Sequence, residues 1–89
     1  MQQHLKLGRT VITPNALERL SDEDVSDALR RHSRGVWGDI TQADRDENAL
    51  AMREGFRLFS VYHDRNGAEF WVITEADRTV TTVLMPDDY

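Results

Sequence analysis

Histidine is the side chain whose charge changes near neutral pH, and this chain carries three, at positions 4, 32 and 63. No two of them stand at a spacing such as i, i+4 that would hold a metal on one helix face. The chain has no cysteine, so zinc would have only histidines and carboxylates to bind it, and thiolate chemistry and disulfides are excluded. His4 lies in a leading tail, His32 on a helical stripe beside arginines, and His63 at the shoulder of a hairpin. All three read as structural or solvated. The cluster Arg30-Arg31-His32-Ser33-Arg34 could contact a phosphate, but it also completes a helix dipole as a cationic last turn, and that reading is the stronger. The acids of 21–27 and 44–47 could form a metal site or an acidic docking surface, yet as helix-opening turns they are already explained. No Ser/His/Asp arrangement, phosphate-cradling glycine loop or nucleotide fingerprint occurs. The expectation is a protein with no catalytic residues, no metal and no cofactor.

Trp37 is a more pointed case. It sits in a five-residue segment, Val36-Trp-Gly-Asp-Ile40, between two helices. A tryptophan there either plugs the core or stands out as an anchor of the kind enriched at binding hot spots. With Asp39 and the acidic opening of the following helix it would make an aromatic anchor with a charged rim, suited to a basic partner. Trp37, Asp39, Asp44, Asp46 and Glu47 are therefore the candidate partner-binding residues. Trp71, in mid-strand, reads as core.

The elements that position these groups are written in local signals. Leu7-Gly-Arg-Thr-Val-Ile12 is a short β-like run, and Thr13-Pro14 after it pairs an N-cap with a first-turn proline. A short helix over 15–20 would present Ala16, Leu17 and Leu20. Ser21 opens a second helix whose Val25, Ala28, Leu29 and His32 share one stripe, with Gly35 as its stop. Thr41 opens a third, ending at Gly55, with Ala43, Leu50 and Ala49 or Met52 inward and the rest half-exposed over the sheet edge or the other helices. From residue 57 onward the chain alternates and is dense in aromatic and β-branched residues. Strands are expected near 57–63, 69–75 and 79–85, joined by Asp64-Arg-Asn-Gly67 and Glu75-Ala-Asp-Arg78, with Pro86 ending the ladder. The fold class is α+β: a short N-terminal strand, about three helices, then a three-stranded antiparallel β-meander, in one domain with residues 1–6 a flexible tail. Both faces of the meander carry apolar residues, a pointer to self-association.

Composition narrows the function. Of 89 residues, 39% are hydrophobic and 30% charged, ordinary for a folded domain, and no apolar run is long enough to cross a bilayer. The net charge of −5 is unevenly placed: residues 1–20 are net positive, whereas 21–55 carry nine acids against five arginines. Such a balance opposes direct nucleic-acid binding, which needs a continuous cationic surface.

Read together, Leu7-Gly-Arg-Thr-Val-Ile-Thr-Pro-Asn-Ala-Leu17, Gly35-Val-Trp-Gly-Asp-Ile40, Glu54-Gly-Phe-Arg-Leu-Phe-Ser-Val-Tyr62 and the run from Trp71 to Tyr89 resemble a family of small uncharacterised, plasmid-related proteins encoded on plasmids and integrative elements of proteobacteria. The resemblance implies a mobile-element setting and a bacterial cytoplasm, and it supplies no site. The expected function is an accessory protein of such an element, a protein-binding or regulatory module without catalytic activity, with a homodimer as a further expectation. A second similarity, in topology, is to small RNA-cleaving toxins of the barnase and RelE-like type. It would assign Arg57, Tyr62, His63 and Thr82 as the catalytic candidates.

Overall fold

The computed structural model describes residues 5–89. Helices form where their caps are written. Thr13 accepts from the Ala16 amide at 3.1 Å and Pro14 takes the first position of helix α1, Pro14–Arg19. Ser21 accepts from the Asp24 amide at 3.1 Å to open α2, Asp22–Ser33, and Thr41 does the same for Asp44 to open α3, Gln42–Glu54. Gly55 closes α3 in the left-handed conformation that suits glycine.

The strands are β1, Arg9–Ile12; β2, Leu58–His63; β3, Glu69–Thr74; and β4, Val80–Leu84, followed by a 3-10 turn over Pro86–Asp88. They form one four-stranded mixed sheet in the order β1-β4-β3-β2. The antiparallel meander is present as β2-β3-β4, but the expected three-stranded sheet is corrected to four: β1 adds to the far side of β4, parallel to it. The reason is physical. A meander leaves β4 with a free row of backbone donors and acceptors, and the short run before α1 supplies a partner for it. The hairpin turn also differs from the tightest Asn-Gly form. Gly67 alone has positive φ (+83°), its amide donates to the Asp64 carbonyl at 2.9 Å, and the Asp64 carboxylate accepts from the Asn66 and Ala68 amides.

Alternation sorts the sheet. Leu58, Ser60 and Tyr62 share a face with Phe70, Val72 and Thr74 and with Thr81 and Val83. Helices α1 and α2 cover this face, closing a core of Ala16, Leu20, Ala28, Tyr62, Phe70, Val72, Val83 and Met85. Leu17, expected inside, is 59% exposed: α1 is one and a half turns long, and Ala16 and Leu20 take its buried side. Leu5 is buried, packs with Ala51 and Leu58, and donates its amide to the Ser33 carbonyl. The expected tail is thus anchored at residue 5, and its residues 1–4, His4 among them, lie outside the described residues.

Helix α3 runs beside the outer strand β2, as expected, but on a different face. Asn48 and Ala51 are buried, whereas Ala43, Ala49, Leu50 and Met52 are exposed. Asn48 is inward because it replaces a missing strand. Its amide nitrogen donates to the Phe59 carbonyl at 2.7 Å and its oxygen accepts from the Phe59 amide at 3.1 Å. Two residues on, the 36–40 segment completes the cover: the Val61 amide donates to the Trp37 carbonyl and the Asp39 amide to the Val61 carbonyl. Gly38 (φ +76°) permits this approach, since a Cβ there would run into the Val61 carbonyl oxygen. Replacing Asn48 by alanine strips both Phe59 backbone groups of their partner. The expected loss is about 2 kcal/mol of stability in urea denaturation, with faster hydrogen exchange at the Phe59 amide. Unchanged exchange at Phe59 would contradict this role.

Candidate functional site

The side of the sheet away from α1 and α2 carries Phe59, Val61 and His63 of β2, Glu69, Trp71 and Ile73 of β3, and Val80, Thr82 and Leu84 of β4. Three aromatic rings gather on it. Trp71 meets Phe59 edge-on at 5.2 Å between centroids and Tyr89 at 5.7 Å, so the last residue of the chain folds back onto mid-sheet. Tyr89 remains 76% exposed. The Arg57 guanidinium fixes this end, donating to the Tyr89 hydroxyl and to the Glu75 carboxylate, each at 3.2 Å. Asp44, from the first turn of α3, borders the resulting groove together with Arg57, Phe59, Trp71, Ile73 and Tyr89. Aromatic rings with one polar edge, held at an open face, supply contact area at low entropic cost.

At the other end of β2, His63 lies between two carboxylates. Its Nδ1–H donates to Asp39 at 2.8 Å and its Nε2 is 3.8 Å from Glu69. Glu69 in turn accepts from the Trp71 indole N–H at 2.9 Å. An imidazole oriented by an aspartate can move a proton, but its polar neighbours here are acids, and no nucleophile hydrogen-bonds to it among the described residues. Arg31, the nearby cation, lies over the Tyr62 ring and faces Asp27. A phosphate approaching His63 would meet anions first.

The four residues of the RNA-cleaving reading are not brought together. Arg57, just before β2, and His63, at its end, are six residues apart, about 20 Å along an extended chain. Tyr62 is buried on the opposite face, its hydroxyl donating to the Val36 carbonyl, and burial pushes its pKa up. Thr82 sits mid-sheet across from Ile73.

The five partner-binding candidates divide. Trp37 is half-buried: its ring stands edge-on to His32 at 5.4 Å and packs against the cluster of Leu5, Ala51 and Leu58. Asp39 holds His63, Asp46 accepts from Gln42 at 3.0 Å, and Glu47 is exposed. Only Asp44 borders the aromatic groove. Among the described residues no group of three or more histidines and acids gathers to hold a metal ion, and no helix is long and apolar enough to cross a membrane. No protein-family model matches the chain, and neither the curated proteins nor the solved structures give a match.

His32 is fully buried and belongs to a continuous chain of hydrogen bonds. Thr81 donates to the Leu7 carbonyl at 2.7 Å, so it must accept from Thr74, 2.7 Å away. Thr74 has then spent its proton and accepts from His32 Nε2–H at 2.9 Å, and in the neutral ring Nδ1 accepts from Ser60 at 2.5 Å. In the neutral ring every member of the chain is satisfied, with the proton on Nε2 and Nδ1 as acceptor. Burial first, and the Arg78 charge second, lower the His32 pKa from 6.5 to about 4. The unfolded chain therefore takes up this proton as pH falls through 6.5, while the folded protein resists until about 4. Stability is complete above that window and falls within it, by about 3 kcal/mol in all. Asp24, Asp77 and Asp88, lowered by hydrogen bonds from Arg65, Thr79 and Thr13, titrate below it. Denaturation midpoints followed from about pH 7.5 to 4 should drop in the wild type and lose most of that slope in His32→Leu. Equal slopes in both proteins would refute the assignment.

Proposed function

We propose that this protein is a non-catalytic binding module that takes a basic segment of a partner protein on the open aromatic face of its sheet, in the mobile-element setting that the resemblance implies. The observation that carries the reading is the groove of Phe59, Trp71, Ile73 and Tyr89, an apolar floor held open by its own polar contacts rather than covered by a helix. Its surroundings favour a cationic visitor. Asp44 stands at one rim, Asp46 and Glu47 follow on the same helix, and Asp39 and Glu69 lie toward the His63 end. The one arginine at the groove, Arg57, is already engaged by Glu75. The anchor role considered for Trp37 passes to Trp71, because Trp37 packs inward against His32 while Trp71 lies on the face away from α1 and α2.

Affinity capture followed by substitution tests the reading. The captured partner should be basic, and its binding should weaken as salt rises. Trp71→Ala should cost binding by 2 kcal/mol or more, about thirtyfold, and Asp44→Lys by a lesser, salt-dependent amount, with far-ultraviolet circular dichroism unchanged in both. Partner binding that survives Trp71→Ala would overturn the proposal. So would cleavage of RNA by the wild type that His63→Ala abolishes.

A further inference from the structure

The two edges of the sheet are treated differently. At β2 the outward backbone groups of Phe59 and Val61 are all paired, by the Asn48 side chain and the 36–40 segment. At β1 they are not. The Arg9 amide donates to the Thr79 carbonyl and the Thr13 amide to the Val83 carbonyl, so the odd-numbered residues of β1 face β4. The amide and carbonyl groups of Thr10 and Ile12 therefore point away from the sheet, and no described residue pairs with them. Beside this edge lies an apolar groove lined by Thr10, Val11, Ile12, Val25, Leu29 and Val83. Val25 and Leu29 are only half-buried there.

We propose that a second copy of this chain docks on β1, antiparallel and about a two-fold axis at Val11, joining two four-stranded sheets into one of eight strands. This goes beyond the binding face described above, which lies at the opposite side of the sheet. The register follows from the backbone. Outward groups exchange hydrogen bonds when Thr10 of one copy faces Ile12 of the other, which satisfies all four groups on each copy. Placing Thr10 opposite itself would set Ile12 against Gly8, whose φ of +67° takes it out of the extended conformation. Placing Ile12 opposite itself would set Thr10 against Pro14, which has no N–H. The favoured register also sets Arg9 opposite Thr13 of the second copy, whose hydroxyl is 2.6 Å from the Asp88 carboxylate. By symmetry that approach of opposite charges occurs twice. The half-buried Val25 and Leu29 of both copies would flank the joint.

An edge of four residues makes a small interface, so association should be weak and concentration-dependent. Sedimentation velocity over rising concentration should show the wild type moving from monomer to dimer. Thr10→Pro should remain monomeric: it removes an outward amide and leaves the β1–β4 ladder whole. Arg9→Glu should weaken the dimer about tenfold. Hydrogen exchange on the wild type provides a readout that does not depend on any variant folding. The Thr10 and Ile12 amides should slow with concentration while Val11, already bonded to β4, does not change. A wild type that stays monomeric, a dimer that persists in Thr10→Pro, or a dimer with Thr10 and Ile12 still in fast exchange would each overturn the proposal.

Discussion

A neutral imidazole sealed between a helix and a sheet is the constraint on which this structure turns. His32 joins α2 to β2 through Ser60 and to β3 through Thr74, and Thr74 passes the chain to β4 and the Leu7 carbonyl through Thr81. The Leu7 carbonyl sets the direction of Thr81, and through it those of Thr74 and the His32 Nε2–H, so these groups act as one unit. Buried polar groups left half-satisfied are costly, and here no buried side-chain polar atom lacks a partner among the described residues. That completeness sets which helix covers which strands. It also holds the segment leading into β1 against the start of β4.

The consequence for function is geometric. With α1, α2 and the His32 chain committed to one face, Phe59 and Trp71 are turned to the other, where Tyr89 folds against Trp71. Arg78 supports the same arrangement from the turn between β3 and β4. Its φ is +62°, and its guanidinium donates to the Phe56 and Ala51 carbonyls, tying the end of α3 to that turn. Among the described residues, the aromatic groove on that face and the outward backbone groups of β1 are what the helices leave accessible. Acid–base groups are plentiful, but the only oriented histidine at the surface, among the described residues, is hemmed by carboxylates.

Much of this was legible in the sequence, and what was legible was local. Thr13-Pro14, Ser21, Thr41, Gly35 and Gly55 mark helix ends because a cap acts within three or four residues of itself. The meander was readable for the same reason, its strands being joined by short turns. The place of β1 was not, because a parallel pairing with a strand some 70 residues away leaves no mark on the intervening turns. Asn48 was invisible for another reason. An asparagine on a charged helix looks solvated until the backbone edge it pairs with is known. At the candidate site, alternation named Phe59 and Trp71 as sharing a face, but not which face the helices would leave open. Nothing local announced that Tyr89 would return to stack on Trp71. His32 was assigned correctly to the inward stripe of α2. Its partners Ser60, Thr74 and Thr81 lie on three strands, and only the strand register shows that they converge.

The most direct test of this account is the state of the His32 ring itself, read by long-range nitrogen–proton correlation in the magnetic resonance spectrum of the imidazole. The account predicts a neutral ring at pH 6, protonated on Nε2 with Nδ1 bare, and no titration until the pH nears 4. A ring neutral with its proton on Nδ1 would contradict the hydrogen-bond chain, and a ring charged at pH 6 would contradict its burial against the sheet.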